Sequence, residues 1–241
     1  MAREDAHIYP DVSTCRFYSA CNAGGILNGK HCMMSYVGRD YGAPGTLRLA
    51  LVGMDHRDQK SGSFVERRTG IEGVYQTKDN NKLNPHYQGV VKTAAAVFDS
   101  ADCTICAENW MCRKSRAPSI SCVIDSIAQP NFVKCVRSDV QSSKCLATSP
   151  MKTNCAQHLL HELKLLQPDL IIFHFADAPK IILPAIEARE IPTVSMLYEW
   201  MDAHILFVKH PSYGWLDSQW DSVVVPALDY LRHEGRILTR G

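Results

Sequence analysis

A chain of 241 residues, 46% hydrophobic and 21% charged, has enough apolar side chains for a sizeable core, which excludes wholesale disorder. A formal net charge of +1 and an isoelectric point near 7.6 exclude a uniformly basic nucleic-acid binder but leave room for a local basic groove. No run approaches the roughly 20 apolar residues that span a bilayer, so no membrane partner is expected. The opening residues, MAREDAHIYP, hold no apolar segment, so no signal peptide is expected and the expected location is cytoplasmic. In a reducing compartment the ten cysteines are expected as metal or iron–sulfur ligands, reactive thiols or small buried apolar side chains, not as disulfides.

In chain order, residues 1–45 read as an N-terminal cysteine-bearing arm, with Cys15, Cys21 and Cys32 among glycines and turn residues. The apolar run Thr46–Gly53 predicts a first strand, buried on both faces. Val90, Val91, Ala94 and Val97–Phe98 recur at helical spacing and predict a helix over 86–98. A cysteine-rich insertion follows at about 99–126, with Cys103, Cys106, Cys112 and Cys122 beside Arg113, Lys114 and Arg116. Pro130–Lys134 reads as the second strand. The stripe Leu159, Leu160, Leu163 and Leu166 predicts a helix from about Asn154, its expected N-cap, to a stop before Pro168. Pro168–Phe175 is the third expected strand. A helix over Pro179–Arg189 follows, kinked at Pro184, then a fourth strand at His204–Lys209. The last helix is expected over Leu216–His233, kinked at Pro226, before a tail at 236–241. Strands alternating with helices predict one α/β domain over 46–235, with a central four-stranded parallel sheet flanked by helices.

Ligands of such sheets bind beyond the carboxyl ends of the strands. The expected strand ends carry Gly53-Met54-Asp55, Asn131 with Lys134-Cys135, His174, and Lys209-His210. An acid past a strand suits the orientation of a water, and Phe64 in the following loop suits stacking on a planar ring. The amide of Asn131 both donates and accepts, so it suits the reading of a base edge. His210 before Pro211 suits donation to a developing oxyanion, and Tyr213 to Trp215 places aromatics beside a glycine. Taken singly, Asp55 reads equally as a turn cap, Asn131 as a sheet-end amide and His210 as a structural histidine.

Together and in this order, the motifs resemble the uracil-DNA glycosylase superfamily, particularly its iron–sulfur-containing, family 4-like branch, from about Arg48 to Tyr230. Gly53-Met54-Asp55-His56-Arg57 is similar to the motif that follows the family's first strand. Ser63-Phe64-Val65-Glu66-Arg67-Arg68-Thr69-Gly70 is similar to the segment carrying the base-stacking aromatic. Pro130-Asn131-Phe132-Val133-Lys134-Cys135-Val136-Arg137 is similar to the segment of the uracil-reading Asn, and His210-Pro211-Ser212-Tyr213 to the His-Pro-Ser motif. The resemblance implies a hydrolase of base excision repair that flips uracil out of single- or double-stranded DNA and hydrolyses its N-glycosidic bond, acting as a monomer. It makes Asp55 and His210 catalytic, and Gly53, Met54, His56, Phe64, Asn131 and Ser212 substrate-binding. Lys134, Arg137, Tyr213 and Trp215 are implied at the DNA. The chain departs from the pattern at His56-Arg57, where the family carries Pro-Gly, and at His174-Phe175, where it carries Leu-Gly. These departures keep two alternatives open: a glycosylase for hypoxanthine or xanthine, and a damaged-DNA-binding protein of the same fold without turnover.

The resemblance further implies a [4Fe–4S] cluster, an iron–sulfur centre held by four thiolates. Cys135 and Cys155 look like the second pair of ligands, and Cys15, Cys21 and Cys32 are three candidates for the first two places. Cys103-x-x-Cys106, with Cys112 and Cys122, has the spacing of a second metal site or belongs to an insertion that touches DNA. Cys145 has no assigned role.

Overall fold

Three apolar runs form the middle of the sheet because both of their faces are covered. They are β3 (Leu49–Val52), β6 (Leu170–His174) and β9 (Ala203–Val208), and every residue in them is buried. The pleat sends alternate side chains to opposite faces. Leu49, Leu51, Leu170, Ile172, Leu206 and Val208 enter one apolar layer, and Ala50, Val52, Ile171, Phe173, Ile205 and Phe207 the other. A computed structural model describes residues 14–22, 27–28, 35–54, 64–75, 85–99, 122–137, 147–211 and 219–237.

The sheet is seven-stranded and mixed, wider than the four strands expected. Its remaining members are β2 (Tyr36–Val37), β4 (Ile127–Gln129), β7 (Arg189–Glu190) and β8 (Leu197–Trp200), and its order is β2-β4-β3-β6-β9-β8-β7. β3 runs parallel to β4 and β6, and β6 parallel to β9. β2, β8 and β7 pair antiparallel with β4, β9 and β8. Tyr36 and Val37 fall in the expected N-terminal arm, yet they are core residues of a sheet edge. A separate antiparallel ribbon joins β1 (Leu27–Asn28) to β5 (Val136–Arg137).

Helices cover both faces. α2 (Phe64–Tyr75), α3 (Pro85–Val97) and α6 (Val225–His233) lie on the first layer, where Ile71, Val90, Ala94, Leu228 and Leu231 pack. α4 (Ser149–Leu166) and the short α5 (Ala178–Ile182) cover the second, through Leu159, Leu163 and Ile182. A four-residue helix, α1 (Tyr18–Cys21), packs on α4. Among the described residues, no helix is long and apolar enough to cross a membrane.

Four expected elements differ, each for a local reason. The strand expected at Pro130–Lys134 lies just upstream, at Ile127–Gln129, because Pro130 has no N–H for a ladder. α4 begins five residues before Asn154: the Thr148 hydroxyl accepts from Met151 N–H at 3.3 Å and caps it. The helix expected over Pro179–Arg189 stops at Ile182 and tightens into a 3-10 turn over Leu183–Ala185, where Pro184 interrupts it. Pro226 supplies no N–H to continue the ladder of the last helix, and the preceding turn widens into a π-turn over Trp220–Val224.

Candidate functional site

Past the carboxyl end of β3, two chain segments zip together beyond the sheet. Gly53 N–H donates to the Pro130 carbonyl at 3.0 Å, Phe132 N–H to Gly53 at 2.8 Å and Val133 N–H to Met54 at 2.8 Å. This bonding locks Asn131 opposite Gly53 in an isolated parallel bridge. Asn131 is 6% exposed, and among the described residues its buried Nδ2 has no hydrogen-bond partner. Leaving such a donor unmatched costs about 1–3 kcal/mol, a cost that a ligand acceptor would relieve.

Three histidines gather at this edge from three elements. His174 ends β6, in register with Val208. His210 follows β9, where Lys209 N–H donates to Gln219 Oε1 at 2.8 Å. His86 lies in the first turn of α3. The rings of His86 and His210 are stacked, 5.2 Å apart and 13° from parallel. His174 meets His86 edge-on at 6.4 Å. Burial, reinforced by neighbouring His86 and His210, pushes the His174 imidazole well below its ordinary range, so it is neutral. Gly53 makes the gathering possible: a Cβ there would stand 3.3 Å from His86 Cε1 and 3.8 Å from Asn131 Oδ1.

A second gathering lies in the layer between the sheet and α4. Cys21 and Cys155 are buried in one apolar cluster, with Cys135 packed against it. Cys155 Sγ accepts from Lys134 N–H at 3.5 Å, and Cys21 Sγ accepts from Asn154 Nδ2 at 3.5 Å. Cys15 Sγ stands 3.2 Å from His158 Nε2. Burial pushes the Cys155 thiol up to about 12; the Lys134 N–H opposes this, and the nearby Cys21 and Cys15 add to it. Cys15, Cys21, Cys135 and Cys155 thus share a neighbourhood. Among the described residues, however, no three His, Cys, Asp or Glu side chains stand close enough to enclose a metal ion.

The other expected site residues are distributed unevenly. Met54 is half-buried, and its side chain packs on the cysteine-bearing layer. Lys134, expected at DNA phosphates, is 5% exposed and ion-paired with Glu162 of α4, so its charge is engaged inside the fold. Phe64 opens α2 and Arg137 pairs with Leu27, both described in backbone only. Asp55, His56, Ser212, Tyr213, Trp215 and Cys32 lie outside the described residues, as do Cys103, Cys106, Cys112 and Cys145. The expected insertion ends in described residues, where Cys122, Val123 and Ile124 are core. Sequence reasoning passed over His86. Its signal was a polar residue in a helix's first turn, right after a proline, in a fold whose ligands approach that sheet edge.

A cavity of about 240 Å³ lies at the opposite edge of the sheet, lined by residues including Arg48, Pro168, Trp200, Met201 and Ala203. These residues lie at the amino ends of β6 and β9 and the β8–β9 turn, away from the carboxyl-end site. No protein-family model matches the chain, and no curated protein is significantly similar to it.

Proposed function

We propose that this protein is a DNA glycosylase that hydrolyses the N-glycosidic bond of uracil in DNA, on a uracil-DNA glycosylase-type domain whose central strands are parallel. The observation that carries the reading is Asn131: a buried amide whose Nδ2 has no partner among the described residues, held beside Gly53 at the carboxyl edge of the sheet, where the His86 ring that stacks on His210 also stands. Uracil presents an acceptor, O4, beside a donor, N3–H. Asn131 Nδ2 would donate to the first and Oδ1 accept from the second. Cytosine inverts that pattern and would leave both amide atoms facing like groups, which is a strong basis for rejection.

The remaining steps follow from the residue chemistry. A base in a duplex is out of reach, so the nucleotide is flipped at a cost of a few kcal/mol. Phe64 stacks on the flipped ring, a contact of about 1–3 kcal/mol. As the glycosidic bond breaks, the sugar becomes positive and the leaving base negative. Asp55 stabilises the sugar and orients the attacking water. His210, neutral, donates to the uracil O2. Tyr213 and Trp215 fill the vacated stack, and Arg137 holds phosphate, so binding weakens with salt.

Cys15, Cys21, Cys135 and Cys155 would hold a [4Fe–4S] cluster, with Cys32 the alternative to either N-terminal member. The fit rests on three sulfurs in one apolar layer, two of them accepting N–H bonds, with Cys15 Sγ beside His158 of the same helix as Cys155. When bound, the cluster supplies a covalent staple between the N-terminal arm and the loop that carries Asn131. The protein's own share is to bury the thiols and aim N–H groups at them.

Single- and double-stranded oligonucleotides carrying uracil, hypoxanthine or xanthine, followed by alkaline cleavage of abasic sites, test the reading. Cleavage at uracil, abolished in Asp55→Ala with affinity retained, is expected. Cleavage confined to a purine moves the assignment to that base, and binding without cleavage of any overturns the enzyme. A brown protein with broad visible absorption that Cys155→Ser loses supports the cluster; a colourless zinc protein refutes it.

A further inference from the structure

His86 takes no part in the steps above, yet it sits at their centre. Its ring has neighbours from three strand ends: a Cβ on Gly53 would stand 3.3 Å from its Cε1, His174 meets it edge-on at 6.4 Å, and the His210 ring stacks on it at 5.2 Å. His210 itself lies two residues past the last residue of β9, beyond the ladder with β6, just after Lys209, whose N–H donates to Gln219 Oε1. A donor on such a loop must have its ring plane fixed by something else if it is to meet a developing charge without reorganising. An aromatic face on a helix terminus that is anchored in the core supplies this. Ile71, Val90 and Ala94 root α3 and its neighbour α2 in the apolar layer, so the surface presented to His210 belongs to the rigid part of the fold.

Resting on the base-excision reading, we propose that His86 is a positioning residue for His210, fixing the plane of its imidazole by ring stacking. Gly53 then has a second role besides its backbone bonds. The absence of a Cβ leaves room for the His86 ring, whose Cε1 a Cβ there would meet at 3.3 Å.

Three variants separate this from a merely structural role. Under single-turnover conditions on a uracil oligonucleotide, His86→Leu lowers the cleavage rate on the order of ten- to a hundredfold, the scale of a donor misplaced by about 1 Å. DNA affinity is unchanged, because the ring acts only in the transition state. His86→Phe keeps a flat ring and restores most of the rate. The ring-nitrogen NMR signals of His210 move in His86→Leu and return in His86→Phe. An undiminished rate in His86→Leu, unmoved His210 signals, or rescue by His86→Gln and not by His86→Phe would each overturn the proposal. The last outcome would mean that His86 acts by hydrogen bonding. If the wild-type protein releases no base at all, the base-excision reading fails instead, and the His210 signals alone decide whether His86 orients that ring.

Discussion

Lys134→Met is the most revealing single change in the fold. Lys134 and Glu162 are 5% and 4% exposed and form an ion pair between the Asn131 loop and α4. Removing the ammonium strands a carboxylate in the interior, and breaking one side of a buried pair costs about 3–5 kcal/mol. Domains have only about 5–15 kcal/mol of stability in total, so the variant should be visibly weakened, with a lower urea midpoint and an unchanged slope. Lys134→Met/Glu162→Met removes both charges and should recover most of the loss, since apolar replacement of a whole buried pair is often neutral or stabilising. The double variant also examines the DNA expectation. A phosphate-contacting lysine would take about one unit off the salt dependence of binding when removed. The double variant should keep the wild-type slope. A single-variant loss under about 1 kcal/mol would mean a solvated surface pair, and a shallower salt slope would put Lys134 at the DNA. Either result refutes the burial argument.

Three further changes read other parts of the structure. A Cβ at Gly38 would fall 2.2 Å from the Asp125 carbonyl oxygen, a backbone clash, so Gly38→Ala should cost at least the roughly 3 kcal/mol that tops the usual range for overpacking, measured by chemical denaturation. Gly53→Ala meets the His86 ring, not backbone, at 3.3 Å; it should spare stability to within about 1 kcal/mol while lowering the rate of base release, and a full rate would show that His86 yields freely. His174 stays neutral in the fold while the unfolded chain takes up its proton as pH drops through 6.5. Stability is therefore complete above that value and declines below it, and His174→Phe should lessen the acid-side decline in thermal melts across pH.

The legible parts of the fold were those whose signal is local. The runs around Leu49–Val52, Leu170–His174 and Ala203–Val208 are apolar throughout because both faces are covered, and such runs read plainly. β2 and β7 are two residues long, too short to show a period, and they exist through pairing with β4 and β8. The Asn131 segment misled because Phe132 and Val133 are as apolar as any strand. They are buried against the sheet without being in it, held by bonds to Gly53 and Met54. Gly53, Asn131 and His210 could be read as candidate site residues because each stands next to a strand end. His86 carried only the faint signal of a polar residue in a helix's first turn, and nothing local says that this terminus comes to rest on a loop more than a hundred residues away. The burial of Lys134 was hidden for the converse reason: its partner is on α4, and a lysine beside a strand end looks solvated until that partner is known.

The stretch from Asn131 to Cys135 explains why the two gatherings belong to one argument. At its start, Asn131 is fixed to the sheet by the bridge to Gly53. At its end, Lys134 gives its N–H to Cys155 and its ammonium to Glu162, and Cys135 packs on the same apolar layer. The next two residues pair with Leu27 and Asn28, between two of the candidate N-terminal ligands. The loop is therefore clamped at both ends, and only the upstream clamp ties it to the central sheet. The downstream clamp is cysteine, an ion pair and a two-residue ribbon, none of which a short irregular segment could replace with a core of its own. An amide that must discriminate two bases by the direction of its hydrogen bonds tolerates little rotation. On the proposed base-excision reading, the cysteines would act on base recognition through the placement of Asn131, and loosening them should blur selectivity before it unfolds the sheet.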